Sequence, residues 1–366
     1  MDVIVFIAAL AIILLGAELF TNGIEWFGHR LNLGEGAVGS VLAAVATALP
    51  ETLIPVIAII GPLLTGNEAT AGSEEVGVGA ILGAPFTLAT LAMFITGLAV
   101  LISARNGGRS TDMKVNVNVM AQDVIFFLVS YTIAIGAAFL PEEWRWADFA
   151  VVAVLTLVYV FYVRAHFREK GEGEAADLAQ LHATRLPGMS GGVALQEAEG
   201  EGGAALEEGG LPRMWIIVLQ TIVALACIIL GARIFVTAVE HISAGIGFDP
   251  RLFALIVAPI ATELPEKFNS VLWVRKGKDT LAMGNITGAM VFQACFPTAI
   301  GILFTSWAFT AENALSFASA GAAILATLLI LGPMLRSRRL SAAALLIGGP
   351  IYLIYILAVI FLPSGG

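Results

Sequence analysis

The hexapeptide ATALPE at residues 46–51 returns as ATELPE at residues 261–266, 215 positions further along the chain. Each copy places a proline directly before a glutamate within an apolar run. Proline lacks a backbone N–H and clashes with the carbonyl four residues earlier, so Pro50 and Pro265 each predict a break in a helix. Glu51 and Glu266 then stand beside the two predicted breaks.

The similarity extends outward from the two hexapeptides. A shift of 215 residues aligns residues 9–53 with residues 224–268 without a gap, and 15 of the 45 pairs are identical. A second block matches at a shift of 205, where Gly79 and Gly83 pair with Gly284 and Gly288. Such glycine spacings let helix backbones approach closely. We therefore expect the two glycine-containing helices to pack against the two broken helices. The chain therefore contains one structural unit twice.

The composition is that of a membrane protein. Hydrophobic residues make up 58% of the chain and charged residues only 13%, whereas a typical soluble domain is about a quarter charged. This composition excludes an ordinary soluble enzyme and a disordered chain, and the net charge of -9 argues against a nucleic-acid partner. Cys227 and Cys295 both lie in apolar runs, which excludes a secreted disulfide framework.

The hydropathy pattern predicts an all-α polytopic membrane protein. A spanning helix needs about 20 apolar residues, and we expect ten, at residues 2–21, 36–64, 75–103, 117–140, 148–166, 213–239, 250–274, 280–308, 313–334 and 340–362. They divide into a five-helix half at residues 1–166 and another at residues 213–366. The Gly- and Glu-rich stretch 167–212 is predicted to be a flexible linker.

Five spans separate the two copies, and an odd number inverts the second copy across the bilayer. Inverted repeats are typical of secondary transporters, which bind their substrate near the membrane midplane where the repeats meet. Fifteen of the 19 Lys and Arg residues fall in the connections after the first, third, fifth, seventh and ninth spans. The connection after the fifth span is the linker. The positive-inside rule therefore predicts a cytoplasmic linker and both termini outside.

The expected midplane site is rich in oxygen. A carboxylate at membrane depth is costly and marks a functional site by default, which applies to Glu51 and Glu266. The hydroxyls of Thr47 and Thr262 and the carbonyls freed by proline would complete an all-oxygen cage, the ligand set that Ca²⁺ prefers. Asn285 and Gln293, eight residues apart, offer amide oxygens either to the ion or to hydrogen bonds between helices.

Glu263 and Lys267 form the one charged pair inside the repeat motif. Their i, i+4 spacing allows them to pair on one helix face. One interpretation is a buried ion pair that serves packing. The other counts charge, because three carboxylates at positions 51, 263 and 266 and one ammonium leave two negative charges, enough to neutralise one divalent cation. Buried carboxylates also make proton exchange against Ca²⁺ physically natural.

The two Thr-x-Leu-Pro-Glu elements, each followed by a Gly-x-x-x-Gly helix, resemble the alpha repeats of the cation/calcium exchanger superfamily, in its prokaryotic type. The resemblance implies that Glu51 and Glu266 coordinate Ca²⁺ with help from Thr47 and Thr262, and that entry of Na⁺ or H⁺ drives Ca²⁺ export across the prokaryotic plasma membrane. Ala48 and Glu263 replace the serine usual in the family, and several expected sodium-site oxygens are missing. The coupling ion therefore stays open.

We expect a secondary active cation antiporter that works by alternating access, with Ca²⁺ as the transported ion and no cofactor. Alternatives are an antiporter for another cation, a passive cation channel, or a lipid-handling membrane protein. A membrane enzyme is disfavoured because none of the four histidines is central in a span and no nucleophile motif is present. The expected partners are small cations and the lipid bilayer, with no protein partner evident.

Overall fold

The computed structural model describes residues 2–30, 44–65, 71–105, 109–168, 181–185, 212–247 and 249–361. Most of these residues are helical. The helices of the first half are α1 Asp2–Arg30, α2 Ala44–Thr47, α3 Leu49–Thr65, α4 Ala71–Thr87, α5 Met93–Arg105, α6 Val117–Ala137 and α7 Ala147–Arg168. Those of the second half are α8 Met214–Ile246, α9 Pro250–Thr262, α10 Leu264–Arg275, α11 Asp279–Phe304, α12 Ala314–Ser337, α13 Ala342–Leu345 and α14 Gly348–Phe361.

Several short elements complete the described fold. A π-helical turn, Leu88–Ala92, joins α4 to α5 without a break in the helical rod. Short 3-10 helices lie at Glu142–Trp144 and His182–Arg185. A two-residue strand β1, Asp112–Met113, pairs antiparallel with β2, Leu340–Ser341.

Within the described part of the chain, eight helical stretches are long and apolar enough to cross a membrane. They correspond to eight of the ten predicted spans, and the polytopic all-α prediction is confirmed. The second predicted span corresponds to the helix pair α2–α3, and the seventh to the pair α9–α10. None of these four helices is long enough to cross a membrane by itself. Helix α8 extends seven residues beyond the predicted end at residue 239.

The outer helices are apolar on the face that points away from the bundle. In α7, Phe149 is 72% exposed, Leu157 56% and Phe161 62%. Water would disfavour so large an exposed apolar surface, whereas lipid tails accept it. Helix α11 is the opposite case, because 78% of the residues in its most apolar stretch are buried inside the protein. The bundle is therefore built around α11, and α7 and α14 lie at its edge.

Helices α1 and α8 pack antiparallel along much of their length. Phe6 stacks near Phe235 with ring centroids 5.3 Å apart, and Gly23 near the other end of α1 approaches Thr221 near the start of α8. Small residues line this contact, since Gly16 and Gly231 have no room for a side chain there.

The contact between α1 and α8 maps onto itself under the 215-residue shift. A Cβ atom on Gly16 would lie 2.8 Å from Ile228 Cγ1, and one on Gly231 would lie 2.8 Å from Ile13 Cγ1. The shift turns Gly16 into Gly231 and Ile13 into Ile228. A contact in which i meets j and j meets i is the signature of a two-fold axis. The first helices of the two halves are thus related as an inverted repeat requires.

Part of the predicted linker is packed against the bundle. Leu181 is fully buried against Trp26 and Ile217. The backbone N–H of His182 donates to Asn22 Oδ1 at 3.1 Å, and that of Ala183 donates to Gln220 Oε1 at 2.7 Å. The prediction of a flexible linker missed this docked turn, because its apolar anchors, Leu181 and the partly buried Ala183, form too short a pattern to stand out in the sequence. The linker residues 169–180 and 186–211 lie outside the described residues.

A buried ion pair joins the two halves at the connection before α6. Arg109 donates to both carboxylate oxygens of Asp279, at 2.7 and 2.5 Å, and to the carbonyl of Val274 at 2.9 Å. The backbone N–H of Lys114 also donates to Asp279, at 2.7 Å. Asp279 is buried in the first turn of α11, where the helix dipole favours a carboxylate. This bidentate pair fastens the start of the central helix.

Candidate cation site

Both Pro-Glu motifs interrupt their helices at the same point. In the first half α2 ends at Thr47, Ala48 forms a turn and α3 begins at Leu49. In the second half α9 ends at Thr262, Glu263 forms the turn and α10 begins at Leu264. The two breaks are 215 residues apart, as in the sequence alignment. The prediction that each motif breaks its helix is therefore confirmed.

Each break is confined to one residue. The N–H of Ala48 still donates to the carbonyl of Ala44 at 3.0 Å, and the N–H of Glu263 donates to that of Pro259 at 3.0 Å. Beyond the break, Lys267 N–H donates to Glu263 O at 3.0 Å. Proline deprives only the carbonyls four residues before it, those of residues 46 and 261, of a backbone donor. The interruption is thus a kink rather than an unwound segment.

Glu51 lies in the first turn of α3 and is only 4% exposed. The N-terminal turn of a helix carries a partial positive charge that favours an ionised carboxylate. Helix α11 packs against both α2 and α3, which brings the central helix beside this carboxylate. Glu266 occupies the equivalent position in α10, but its side chain lies outside the described residues, as do those of Thr47, Pro50 and Pro265.

Two further predicted ligands sit at the second break. Thr262, the last residue of α9, is 1% exposed, and Glu263 is fully buried. Lys267 Nζ donates to Glu263 Oε2 at 2.6 Å, so the i, i+4 pair predicted from the spacing is formed.

The central helix contributes two buried amides. Asn285 is fully buried and Gln293 is 1% exposed. Among the described residues, neither amide atom of Gln293 has a hydrogen-bond partner. Buried polar groups are almost always hydrogen-bonded, so the free oxygen of Gln293 suits a role as a ligand better than a role in fastening helices.

The glycine pairs lie where backbones approach each other. A Cβ atom on Gly79 would overlap the carbonyl oxygen of Arg251, and one on Gly83 would overlap that of Leu255. Helix α4 of the first half therefore lies directly on α9 of the second. Gly284 is buried on α11, as is Gly288, and that helix packs against α2, α3 and α10. Both glycine helices thus contact a broken helix.

The described residues do not by themselves form a metal centre. No group of three or more His, Cys, Asp or Glu side chains that could hold a metal lies within them, and Glu266 is outside that set. The site that the sequence predicts needs Glu266 together with Glu51. Its completeness therefore stays a prediction.

One buried polar cluster was not foreseen. Asp123 on α6 accepts from Tyr162 Oη at 3.0 Å and from Thr287 Oγ1 at 2.6 Å. His166 Nε2 lies 3.1 Å from the same carboxylate. All four side chains are no more than 2% exposed. The available signal was a lone carboxylate in the predicted span at residues 117–140, which contains no other charged residue.

A cavity of about 220 Å³ opens at the first turn of α4. Its polar lining includes Glu74, Glu75, Arg251 and Ser306. Arg251 Nη2 donates to Glu75 at 3.3 Å, and the backbone N–H of Ser306 donates to Glu74 at 3.0 Å. These bonds tie α4 to the second half at the end of the bundle where α4 and α9 both begin.

Comparison with known proteins agrees with this architecture. The sequence profile of the sodium/calcium exchanger protein family matches residues 1–167 and 216–362. A protein of Alkalimonas amylolytica named "Putative antiporter CaxA" is 24% identical over 93% of each chain. The inner membrane protein YrbG of Escherichia coli K12 is 20% identical over 73% of this chain and 69% of its own.

Two solved structures share the fold. The H⁺/Ca²⁺ exchanger CAX superposes with a TM-score of 0.71 at 13% identity, covering 98% of this chain and 82% of its own. The sodium-calcium exchanger NCX_Mj superposes with a TM-score of 0.57 at 16% identity, covering 98% of both chains. The profile match spans both halves and leaves out only the linker region and the last residues. The chain belongs to the sodium/calcium exchanger protein family, a family of membrane transporters rather than enzymes.

Proposed function

We propose that this protein is a secondary active antiporter that exchanges Ca²⁺ for Na⁺ or H⁺ by alternating access. The observation that carries the proposal is the paired break, because two equivalent Pro-Glu kinks place one glutamate of each half in the first turn of a broken helix. Helix N-termini, carboxylates and unwound or kinked backbone at a repeat interface are the parts from which transporters build ion sites.

The chemistry of the donors supports a hard divalent cation. The proposed ligands are all oxygens: the carboxylates of Glu51, Glu266 and Glu263 and the hydroxyls of Thr47 and Thr262. Ca²⁺ takes six to eight such oxygens in flexible geometry. Gln293 and Asn285 supply further amide oxygens from α11. Glu263 Oε2 accepts a hydrogen bond from Lys267, so this carboxylate would be shared between the ammonium and the bound cation.

The relatives support antiport over a passive channel. The two solved structures that share the fold are those of an H⁺/Ca²⁺ exchanger and a sodium-calcium exchanger. Each of these proteins is thus described as exchanging Ca²⁺ for a second cation. They differ in that second cation. Since both coupling ions occur on this fold, the proposal includes either one. The alternative that the altered motif favours is an antiporter for another cation.

The test is radiolabelled Ca²⁺ flux into proteoliposomes under an imposed Na⁺ gradient and, separately, an imposed H⁺ gradient. An antiporter accumulates Ca²⁺ against the Ca²⁺ concentration gradient when at least one of the two driving gradients, Na⁺ or H⁺, is imposed. Flux that only ever runs down the Ca²⁺ gradient indicates a channel. Failure to move Ca²⁺, with Mn²⁺ or Mg²⁺ moved instead, favours the antiporter for another cation.

The protein is proposed to act in the prokaryotic plasma membrane with its linker in the cytoplasm. The charge bias of the connections supports that orientation. Small cations and lipid are the proposed partners.

A further inference from the structure

The two halves differ in charge at one equivalent pair of positions. The 215-residue shift pairs Ala48 with Glu263 and Thr52 with Lys267, and the structure places both pairs at the same one-residue break. In the first half Thr52 Oγ1 donates to the carbonyl of Ala48 at 2.9 Å. In the second half Lys267 Nζ donates to the Glu263 carboxylate at 2.6 Å. A neutral turn in one half is thus an ion pair in the other.

This ion pair lies within the candidate site. Glu263 is fully buried and the Lys267 side chain is 5% exposed. Lys267 also follows Glu266 directly in the chain, so it shares the first turns of α10 with the proposed ligand. A buried carboxylate is tolerated when a partner charge and hydrogen bonds compensate it. Lys267 supplies that compensation from the same helix.

The length of the contact matters for the chemistry. The distance of 2.6 Å between Nζ and Oε2 falls at the upper end of the range, about 2.3–2.6 Å, over which Ca²⁺ binds oxygen. The ammonium therefore sits as close to Glu263 as a bound metal ion would, and it occupies one of the two carboxylate oxygens. Because the ammonium already places a positive charge at that oxygen, it would repel a free monovalent cation there.

We propose that Lys267 is a tethered cation that permanently takes the place of one monovalent ion at the Glu263 carboxylate. The protein then needs no free Na⁺ or K⁺ at this position when it binds Ca²⁺. Three carboxylates and one ammonium leave two negative charges, which one Ca²⁺ neutralises. Lys267 is in this respect a specificity-determining residue for the exchange reaction, and the inference rests on the proposed function.

The first half supplies a matched control. Lys267→Thr removes the ammonium and leaves Glu263 as an additional buried negative charge. The double variant Glu263→Ala/Lys267→Thr removes both charges and reproduces the pair Ala48 and Thr52, which the fold already accommodates at the equivalent break. The net charge of the site is the same in the double variant as in the wild type.

The experiment measures exchange of Ca²⁺ against Ca²⁺, which requires no coupling ion. Proteoliposomes loaded with Ca²⁺ take up radiolabelled Ca²⁺ in choline medium with the pH gradient collapsed, and NaCl or KCl is then added. The wild type should exchange in choline and gain nothing from Na⁺ or K⁺. Lys267→Thr should lose about tenfold or more of the rate in choline and recover on addition of Na⁺ or K⁺. The double variant also lacks the Glu263 carboxylate that we propose as a Ca²⁺ ligand, so it should exchange more slowly than the wild type, but Na⁺ or K⁺ should not stimulate it.

The outcomes separate the two proposals. A wild type that fails to exchange Ca²⁺ contradicts the proposed function itself. A wild type that exchanges, together with a folded Lys267→Thr that either matches it in choline or stays inactive in Na⁺ and K⁺, overturns the tethered cation. If Lys267→Thr does not elute as a folded protein in detergent, the double variant decides: stimulation of its exchange by Na⁺ or K⁺ overturns the inference, and residual exchange that neither ion stimulates supports it.

Discussion

At the scale of single residues, backbone clearance decides how the two halves meet. Gly83 is buried on α4 where the carbonyl of Leu255 leaves no space for a Cβ atom. Replacing a helical glycine by alanine usually improves helix propensity, but at Gly83 the added methyl group would overlap a backbone oxygen. The contact it permits holds the first half against the broken helix α9.

Gly83→Ala should lower the stability of the folded protein by about 1–3 kcal/mol, because the new methyl group forces two backbones apart. Gly321→Ala is the matched control, since a Cβ atom on Gly321 in α12 meets no atom within 4 Å. There the same change should be neutral or stabilising by about 0.5–1 kcal/mol. Thermal unfolding in detergent measures both. Equal effects of the two changes would mean that α4 and α9 are not in tight contact.

Much of the residue chemistry could be predicted from the sequence. Proline before glutamate predicted each break, and the spacing of Glu263 and Lys267 predicted their pairing, because both depend on local geometry. The docking of Leu181 and the partners of Asp123 could not be predicted. Those contacts join residues far apart in the chain, and no local pattern encodes which helices become neighbours.

At the scale of elements, the buried carboxylate of Asp123 connects three helices. It accepts from Tyr162 and lies beside His166 on α7, and it accepts from Thr287 on the central helix α11. His166 Nδ1 faces the carbonyl of Tyr162 at 3.1 Å. Both ring nitrogens of His166 therefore face oxygen atoms, one of Asp123 and one of the α7 backbone.

Asp123→Ala should destabilise the protein by about 3–5 kcal/mol, because it leaves the buried partners of the carboxylate without their acceptor. Thr156→Ala is the control on α7, where the exposed hydroxyl bonds only within its own helix, to the carbonyl of Val152 at 2.8 Å. Its effect should be close to zero. The apparent melting temperature in detergent compares them, and a melting temperature unchanged by Asp123→Ala would show that the network does not hold α6, α7 and α11 together.

At the scale of the whole molecule, the internal two-fold relation between α1 and α8 explains why one motif occurs twice. The repeat predicted the paired breaks, and it also predicted which helix of the second half corresponds to which helix of the first. It could not predict the exact arrangement of the ten spans, because the equivalence weakens outside the aligned blocks. The α1–α8 contact gives the relation its most direct test.

Gly16→Leu and Gly231→Leu should destabilise the protein to the same extent, within about 0.5 kcal/mol, because each places a side chain against an isoleucine and an alanine carbonyl that are equivalent under the 215-residue shift. Gly136→Leu, where nothing lies within 4 Å, serves as the control. Unfolding temperatures of the three variants provide the comparison. A large effect at one of the two glycines with none at the other would contradict an equivalent packing.

Orientation is a property of the whole molecule as well. A cysteine at Gly191, in a chain whose Cys227 and Cys295 are replaced by alanine, should react with membrane-impermeant thiol reagents only from the cytoplasmic side. The reason is the concentration of Lys and Arg in the linker and in the connections on its side. Labelling of Gly191→Cys in intact cells, with the cytoplasmic contents still enclosed, would reverse the proposed topology.

The central claim is that a divalent cation binds between the two helix breaks, held by one glutamate from each half. Calorimetric titration of Ca²⁺ into the purified protein in detergent tests it most directly. The wild type and the exposed-surface control Glu312→Gln should each bind Ca²⁺, whereas Glu51→Gln and Glu266→Gln should each weaken binding by about a hundredfold or more, since each removes a buried charged ligand. Ca²⁺ binding of wild-type affinity in both variants would contradict the claim.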